Sequence, residues 1–385
     1  MKDRKDMKML SKQYTMAFSL LTAAFLTGCG SESDSETISS QTEVDIAIET
    51  AINASAVPAV DGFASNIATL NTKVDDFCNG TADETKLLAL QNVWQDSLVS
   101  WYGLLPFKLG PLNITENSSA TLDYIDFYRN ATTANQNGFL NNSLAEINTL
   151  IDSATAITET GLSSKRPKEL GLFTLETALF ETLAGDSTTT SDIVTDFNNE
   201  PEKCDLIQAL TYELNSRATS IQTQWKQDYR DTGIGYQTLF TKNQLETYFS
   251  SFDDDGKGTP ASEAVVVSIQ EFLDFIGNAD IITELNRYGK DSIWLALAQS
   301  IESIEILLDQ SANTELSIYA VMKNNGYEQD VETIKANILH IKDTINNKNT
   351  TDFEAAAKAL DGNFKTSVIN GLNINKGLTF ADGDS

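Results

Sequence analysis

Residues 292–309 read SIWLALAQSIESIEILLD, and this stretch decides the fold class. Its apolar side chains recur at steps of four, four, three and four residues, which matches the period of an α-helix. They are Ile293, Leu297, Ile301, Ile304 and Leu308. A narrow apolar stripe with a polar back is typical of a helix in an antiparallel bundle.

The same pattern is found along most of the chain. In residues 327–345, five apolar positions recur at steps of three and four: Val331, Ile334, Ile338, Ile341 and Ile345. Further helices are predicted over residues 44–57, 82–102, 144–158, 169–183, 205–229, 241–252, 262–275 and 353–369. Because prolines are few and no convincing strand alternation is present, we predict an all-α fold. We expect two packed antiparallel helical bundles, residues 43–232 and 233–385.

The N-terminus has the pattern of a bacterial lipoprotein signal. Basic residues precede an apolar stretch, residues 14–26, that is too short to span a bilayer comfortably. It ends in LTGC at 26–29, a small-residue cleavage site followed by a cysteine that would be acylated. We expect removal of residues 1–28, lipid on Cys29, and a flexible Ser/Glu/Asp-rich tether over 29–42. The alternative is an ordinary signal peptide with an incidental cysteine.

The predicted location follows from this signal. A serine, and no aspartate, lies within two residues of Cys29. By resemblance to enterobacterial lipoproteins, this favours the periplasmic side of the outer membrane.

The formal net charge of −28 at pH 7 restricts the partners of the protein. Such a surface repels phosphate backbones, so we exclude nucleic acid. Cations and basic proteins remain as partners, and a solvated acidic surface without a partner is the alternative.

Two cysteines remain once Cys29 is lipidated. In an oxidising compartment, Cys78 and Cys204 are expected to form a disulfide. The bond would close a long loop and stabilise the fold by about 4–5 kcal/mol on the chain-entropy model. Two buried free thiols are the alternative.

Three segments together resemble the imelysin-like family, also called the M75 peptidase family. Residues 93–112 resemble its aromatic helix leading into a turn of the F-R-F-G-P type, here FKLGP at 107–111. GLFTLE at 171–176 occupies the place of the G-x-H-x-x-E signature. Residues 292–308 are similar to the family's C-terminal helix. The order and spacing of the segments fit over nearly all of the chain beyond Cys29.

The resemblance implies two helical bundles, a periplasmic or outer-membrane location and an association with iron uptake. It also implies that the signature His and Glu form a metal or catalytic pair. This chain departs from that pattern, because Phe173 stands where the histidine belongs, so the signature histidine that would pair with Glu176 is absent. Lys108 replaces the arginine of the turn and cannot form a bidentate fork to a carboxylate.

The spacing of residues around Glu176 predicts its surroundings independently of the family resemblance. Phe173, Glu176 and Phe180 lie on one helix face, so we expect a partly buried carboxylate between two rings. A buried carboxylate needs a partner, such as Lys108. Glu176 is therefore interpreted either as a remnant ligand-binding group or as part of a structural ion pair.

Other candidate sites are weaker. His340 is the only histidine, and we expect a solvated or structural role for it. The acidic loop FDDDGKGTP at 252–260 does not fit the ligand register of an EF-hand, so an acidic surface turn is expected. Adventitious Ca²⁺ binding by Asp253, Asp254 and Asp255 is the alternative. Glu302 and Glu305, with Glu176, are candidate carboxylate ligands for iron or another divalent cation, although a solvated helix face is the commoner arrangement. The sequence requires no cofactor.

Taken together, these features predict a lipid-anchored, imelysin-like protein of the cell envelope. It would bind a ligand or an envelope partner as a non-catalytic accessory of iron or haem uptake. The alternative is a metallopeptidase of the M75 type that uses Glu176 with oxygen ligands.

Overall fold

The computed structural model describes residues 34–116, 119–126, 147–151, 157, 162, 165–249, 259–278, 292–310 and 316–374. The chain divides into two units, Met1–Ser39 and Ser40–Ser385. All the packing below lies in the second unit.

The described residues are mainly helical. The helices are α1 Asp34–Ala54, α2 Ala56–Cys78, α3 Glu84–Leu104, α4 Thr121–Ile125, α5 Gly171–Phe180, α6 Thr190–Asn199, α7 Pro201–Lys226, α8 Tyr236–Thr241, α9 Leu245–Tyr248, α10 Ala261–Asn278, α11 Ser292–Leu308, α12 Ile318–Asn324, α13 Glu328–Asn346, α14 Thr350–Asn363 and α15 Ile369–Gly371. Short 3-10 turns cover Leu105–Phe107, Gly110–Leu112 and Pro167–Glu169, and a π-helical turn covers Phe364–Val368. Two antiparallel strands of two residues, β1 Thr115–Glu116 and β2 Ser119–Ala120, complete the described elements.

The stripe in α11 forms part of the core as predicted. Each of its five apolar residues is at most 1% exposed. The stripe in α13 is buried in the same way, with Ile345 the most exposed at 4%. Burying a side chain of this size stabilises the fold by about 1.5–3 kcal/mol, so these stripes hold the bundle together.

Helix α2 is the long helix that the sequence patterns above do not predict. Its buried residues recur at steps of four and three: Ala56, Val60, Phe63, Ile67, Leu70, Val74 and Phe77. Pro58 and Gly62 resemble helix breakers within this segment. Pro58 nevertheless lies in the first turn of α2, where a helix tolerates the missing N–H of proline.

The helices form two packed antiparallel bundles, which confirms the predicted all-α fold. In the first, α2 packs against α3 and α7. In the second, α10 and α13 pack against α14. Helix α11 contacts α13 and also α3, and the Ser300 hydroxyl donates to the Tyr102 carbonyl at 2.6 Å. The boundary at 232/233 stays a prediction.

A disulfide joins the ends of two helices of the first bundle. Cys78 is the last residue of α2 and Cys204 lies in the first turn of α7, with Cα atoms 5.6 Å apart. The bond therefore ties α2 to α7.

The N-terminal segment differs in part from expectation. Helix α1 begins at Asp34, so residues 34–42, which composition assigns to a tether, are helical. Val44, Ala47 and Ile48 anchor this helix in the core, and extending an existing helix needs no new nucleation. The signal segment and Cys29 lie outside the described residues.

One other predicted helix also differs. Asn243, with φ +52°, separates the short helices α8 and α9 where one helix over 241–252 was expected. Asparagine tolerates this left-handed conformation, which interrupts a helix. Most of the predicted helix at 144–158 lies outside the described residues. Among the described helices, none is long and apolar enough to cross a membrane.

Candidate functional site

The turn that follows α3 is held by close backbone packing. Gly110 has φ +40°, and a Cβ at this position would lie 2.3 Å from the ring of Tyr236. Only glycine can place the backbone this near the ring. The Gly110–Pro111 pair therefore fixes the direction in which the turn carries Lys108.

Lys108 faces the second bundle. Its Nζ lies 3.6 Å from Glu271 Oε2 on α10, and both side chains are 39% exposed. The turn is attached to the same helix by Ser268, whose hydroxyl donates to the Pro106 carbonyl at 2.8 Å. Lys108 was expected to be a partner of Glu176, but the structure pairs it with Glu271, because the turn packs against α10.

A small cavity opens beside this ion pair. Its volume is about 170 Å³, and it is lined by Leu105, Lys108, Leu122, Ser268, Glu271, Phe272 and Phe275. The walls are mainly apolar with one positive and one negative group, and the volume is below the range of about 300–1,000 Å³ for drug-sized ligand pockets, so only a very small ligand fits.

Helix α5, which carries the signature segment, begins at a position that requires glycine. Gly171 has φ +81°, and a Cβ here would lie 2.5 Å from the carbonyl oxygen of Ile125. The indole N–H of Trp94 donates to the Leu172 carbonyl at 2.9 Å, and the Trp94 ring packs edge-on against Phe180 at 5.3 Å. These contacts fix α5 against α3 and α4.

The two signature positions are buried one turn apart on α5. Phe173 is 7% exposed and Glu176 is 5% exposed. The phenyl ring offers no lone pair to a metal ion and no group that accepts a proton. At this position the chain has an apolar wall beside a buried carboxylate.

A cation lies close to the start of α5. The Arg217 guanidinium stacks 4.1 Å from the centre of the Tyr124 ring, and it pairs with Glu213 at 2.7 Å. Tyr124 also contacts the start of α5, because its carbonyl oxygen would lie 2.9 Å from a Cβ at Gly171. Glu213 and Arg217 lie four residues apart on α7, but the sequence gives no signal that Tyr124 of α4 packs on Arg217.

The remaining candidates do not form a metal site in the structure. Glu302 is exposed on α11, and Glu305 forms an ion pair with Lys342. Within the ranges given above, no group of three or more histidine, cysteine, aspartate or glutamate side chains is placed to hold a metal ion. His340 is exposed on α13. Asp253, Asp254 and Asp255 lie outside the described residues.

Sequence reasoning missed Glu271 and Tyr236. Glu271 lies far from Lys108 in sequence and reaches it only through the packing of α10 on the turn. Tyr236 fills the space left by Gly110. A glycine followed by a proline does signal a turn, but it does not indicate which ring packs on it.

Comparison with known proteins addresses the fold and the family of the chain. No curated protein sequence matches the chain significantly. Its fold is similar to that of an imelysin-like protein from Psychrobacter arcticum 273-4, with a TM-score of 0.64 and 14% identity over 87% of this chain and 98% of the other. It is also similar to a candidate iron-regulated protein A precursor from Parabacteroides distasonis ATCC 8503, with a TM-score of 0.52 and 13% identity over 86% and 95% of the two chains.

The sequence model of one family covers most of the chain. This model, named imelysin and peptidase M75, matches residues 56–373, a range that includes the turn at Lys108, the signature segment and α11. The protein therefore belongs to the imelysin (peptidase M75) family.

Proposed function

We propose that this imelysin-family protein is a non-catalytic, lipid-anchored component of the cell envelope. It binds a small ligand or an envelope protein as an accessory of iron or haem uptake. Its lipid attaches at Cys29 on the periplasmic side of the outer membrane, and nucleic acid is not among its partners.

The observation that carries the non-catalytic part is Phe173. A metallopeptidase needs ligands that hold a metal ion and a water that the metal activates. Phe173 supplies neither a ligand nor a base, and it lies one helical turn from Glu176. The signature position is therefore apolar in this chain, which favours a binding role over metal-dependent hydrolysis.

The ion pair of Lys108 and Glu271 supports the binding part. Both side chains are well exposed at the edge of a cavity, so a charged ligand can replace either partner at little cost in free energy.

The envelope location is supported by the sequence and by one structural relative. LTGC at 26–29 has the lipoprotein pattern, and the relative from Parabacteroides distasonis is named as a precursor of an iron-regulated protein. The iron or haem role comes to this chain as a proposal from that name and from the resemblance.

A hydrolysis assay tests the non-catalytic part. The purified protein should release no products from a mixed peptide library, with zinc or ferrous iron added, beyond those released by Glu176→Ala. Hydrolysis that requires the metal, is lost in Glu176→Ala and is retained in Glu354→Ala would establish the metallopeptidase alternative. Glu354 is the control because it is an exposed glutamate in helix α14 and belongs to no candidate site.

Growth under iron limitation tests the physiological part. A strain that lacks the gene should grow more slowly than its parent when iron or haem is scarce, and equally well when iron is abundant. Equal growth in both media would contradict the uptake role.

A further inference from the structure

A second and larger cavity lies at the contact between the bundles. Its volume is about 360 Å³, and it is lined by residues of α2, α3 and α11 together with the junction between α1 and α2. This volume lies at the lower end of the range for ligand pockets, about 300–1,000 Å³. None of the residues of the cavity wall carries a basic side chain.

Two glycines shape this cavity. Gly103 allows α3 and α11 to approach, since a Cβ there would lie 2.9 Å from Gln299 Cγ. Gly62 faces the open volume, because a Cβ at that position would have no atom within 4 Å. The backbone of α2 at Gly62 and of α3 at Gly103 therefore forms part of the cavity wall.

Polar groups on α11 lack protein partners. Ser303 is only 4% exposed, and its hydroxyl forms no hydrogen bond with any described residue. The amide of Gln299, one turn earlier, also has no partner in the described parts of the chain. The Ser303 hydroxyl lines the cavity, so it can donate to or accept from a ligand or water held there.

The opposite wall supplies hydrogen-bond acceptors. Pro58 has no N–H to give to the Ala54 carbonyl four residues earlier, and both residues line the cavity. The side-chain N–H of Asn66 donates to the Asp96 backbone carbonyl at 3.2 Å, which leaves the amide oxygen of Asn66 as an acceptor. The Asp96 carboxylate lies at the exposed edge and forms no ion pair with the described residues.

We propose that this cavity binds a small organic cation with a primary ammonium group. The ammonium donates to the Asp96 carboxylate and to the neutral oxygens of the cavity wall, and the carbon chain lies against the small side chains. Acceptors predominate in the cavity, and the net charge of −28 favours cations generally. This inference does not depend on the proposed function, because its residues differ from those around Lys108.

Calorimetric titration of the purified protein tests the proposal, with the linear diamine putrescine as the probe. We expect one binding event per chain. Choline, which has a positive charge but no N–H donor, should bind more weakly by about tenfold or more. The absence of binding, or equal affinities for the two cations, would overturn the proposal.

Two variants locate the site. Gly62→Leu fills the cavity and should weaken putrescine binding by more than about tenfold. The fold should be preserved, because leucine has a higher helix propensity than glycine. Gly362→Leu is the matched control, since Gly362 also lies in a helix and a Cβ added there would have no atom within 4 Å. Asp96→Asn should weaken binding by about fivefold, while Asp205→Asn, at another exposed aspartate, should leave it unchanged. Unchanged affinity in Gly62→Leu would overturn the location.

Discussion

Lys203 Nζ lies 2.6 Å from Asp196 Oδ2, and the lysine side chain has no exposed surface. The same ammonium donates to the Glu181 carbonyl at 2.9 Å and lies 4.4 Å from the centre of the Phe197 ring. The next residue, Cys204, forms the disulfide with Cys78. A buried charge and a covalent bond therefore stabilise the same end of α7.

Removing one member of the buried pair should strongly destabilise the protein. Lys203→Met leaves the Asp196 carboxylate uncompensated, and we expect a loss of about 3–5 kcal/mol in the free energy of unfolding. Lys242→Met, which breaks the more exposed pair with Glu49, should cost less than about 1 kcal/mol. Urea denaturation measures both, and similar losses would contradict the structural role of Lys203. The double variant Lys203→Met/Asp196→Asn should recover part of the loss.

The stability contributed by Lys203 should depend on pH. Burial lowers the pKa of Lys203 below its usual 10.5, while its interaction with Asp196 opposes the change. Between the lowered pKa and 10.5, the unfolded chain binds more protons at this residue, so the free energy of unfolding rises with pH. The stability difference between the wild type and Lys203→Met should therefore increase as the pH approaches 10. A constant difference in urea denaturation from pH 7.5 to 10 would show that the lysine pKa is not lowered.

The disulfide should contribute several kcal/mol. Cys78→Ser/Cys204→Ser frees a loop that spans 126 positions, and we expect a loss of about 4–5 kcal/mol on the chain-entropy model. Intact mass measured without reductant should be about 2 Da below the mass after reduction, because a disulfide lacks two hydrogen atoms. Equal masses would mean that the thiols are free.

Membrane attachment should depend on a single sulfur atom. Cys29→Ser removes the thiolate that would be acylated, so the protein should move from the membrane fraction to the soluble periplasmic fraction. Wild-type protein from the same cells is the control. Retention of Cys29→Ser in the membrane fraction would contradict the lipoprotein prediction.

Periodicity predicted the fold class because the stripes in α11 and α13 are long and regular. It did not predict α2, although the spacing of Val60, Phe63 and Ile67 is as regular. In the sequence, Pro58 and Gly62 indicate a break in the helix. The structure shows instead that the proline lies in the first turn of α2 and that the glycine faces a cavity. At such positions the tertiary packing overrides the local helix propensity of the residue.

The candidate site was predictable only in part. Phe173 and Glu176 could be placed on one helix face, because residues three positions apart are neighbours on a helix. The partner of Lys108 could not be predicted, since Glu271 belongs to the other bundle. The second cavity also depends on three helices that are distant in sequence, so its residues carry no local signature.

The metal content of the wild-type protein tests the central claim most directly. The protein should be purified without chelators and analysed by inductively coupled plasma mass spectrometry, next to Glu176→Ala. If Phe173 has replaced the metal-binding group, the wild type should contain far less than one zinc or iron ion per chain, and Glu176→Ala should not differ. One zinc or iron ion per chain in the wild type, lost in Glu176→Ala, would contradict the non-catalytic account.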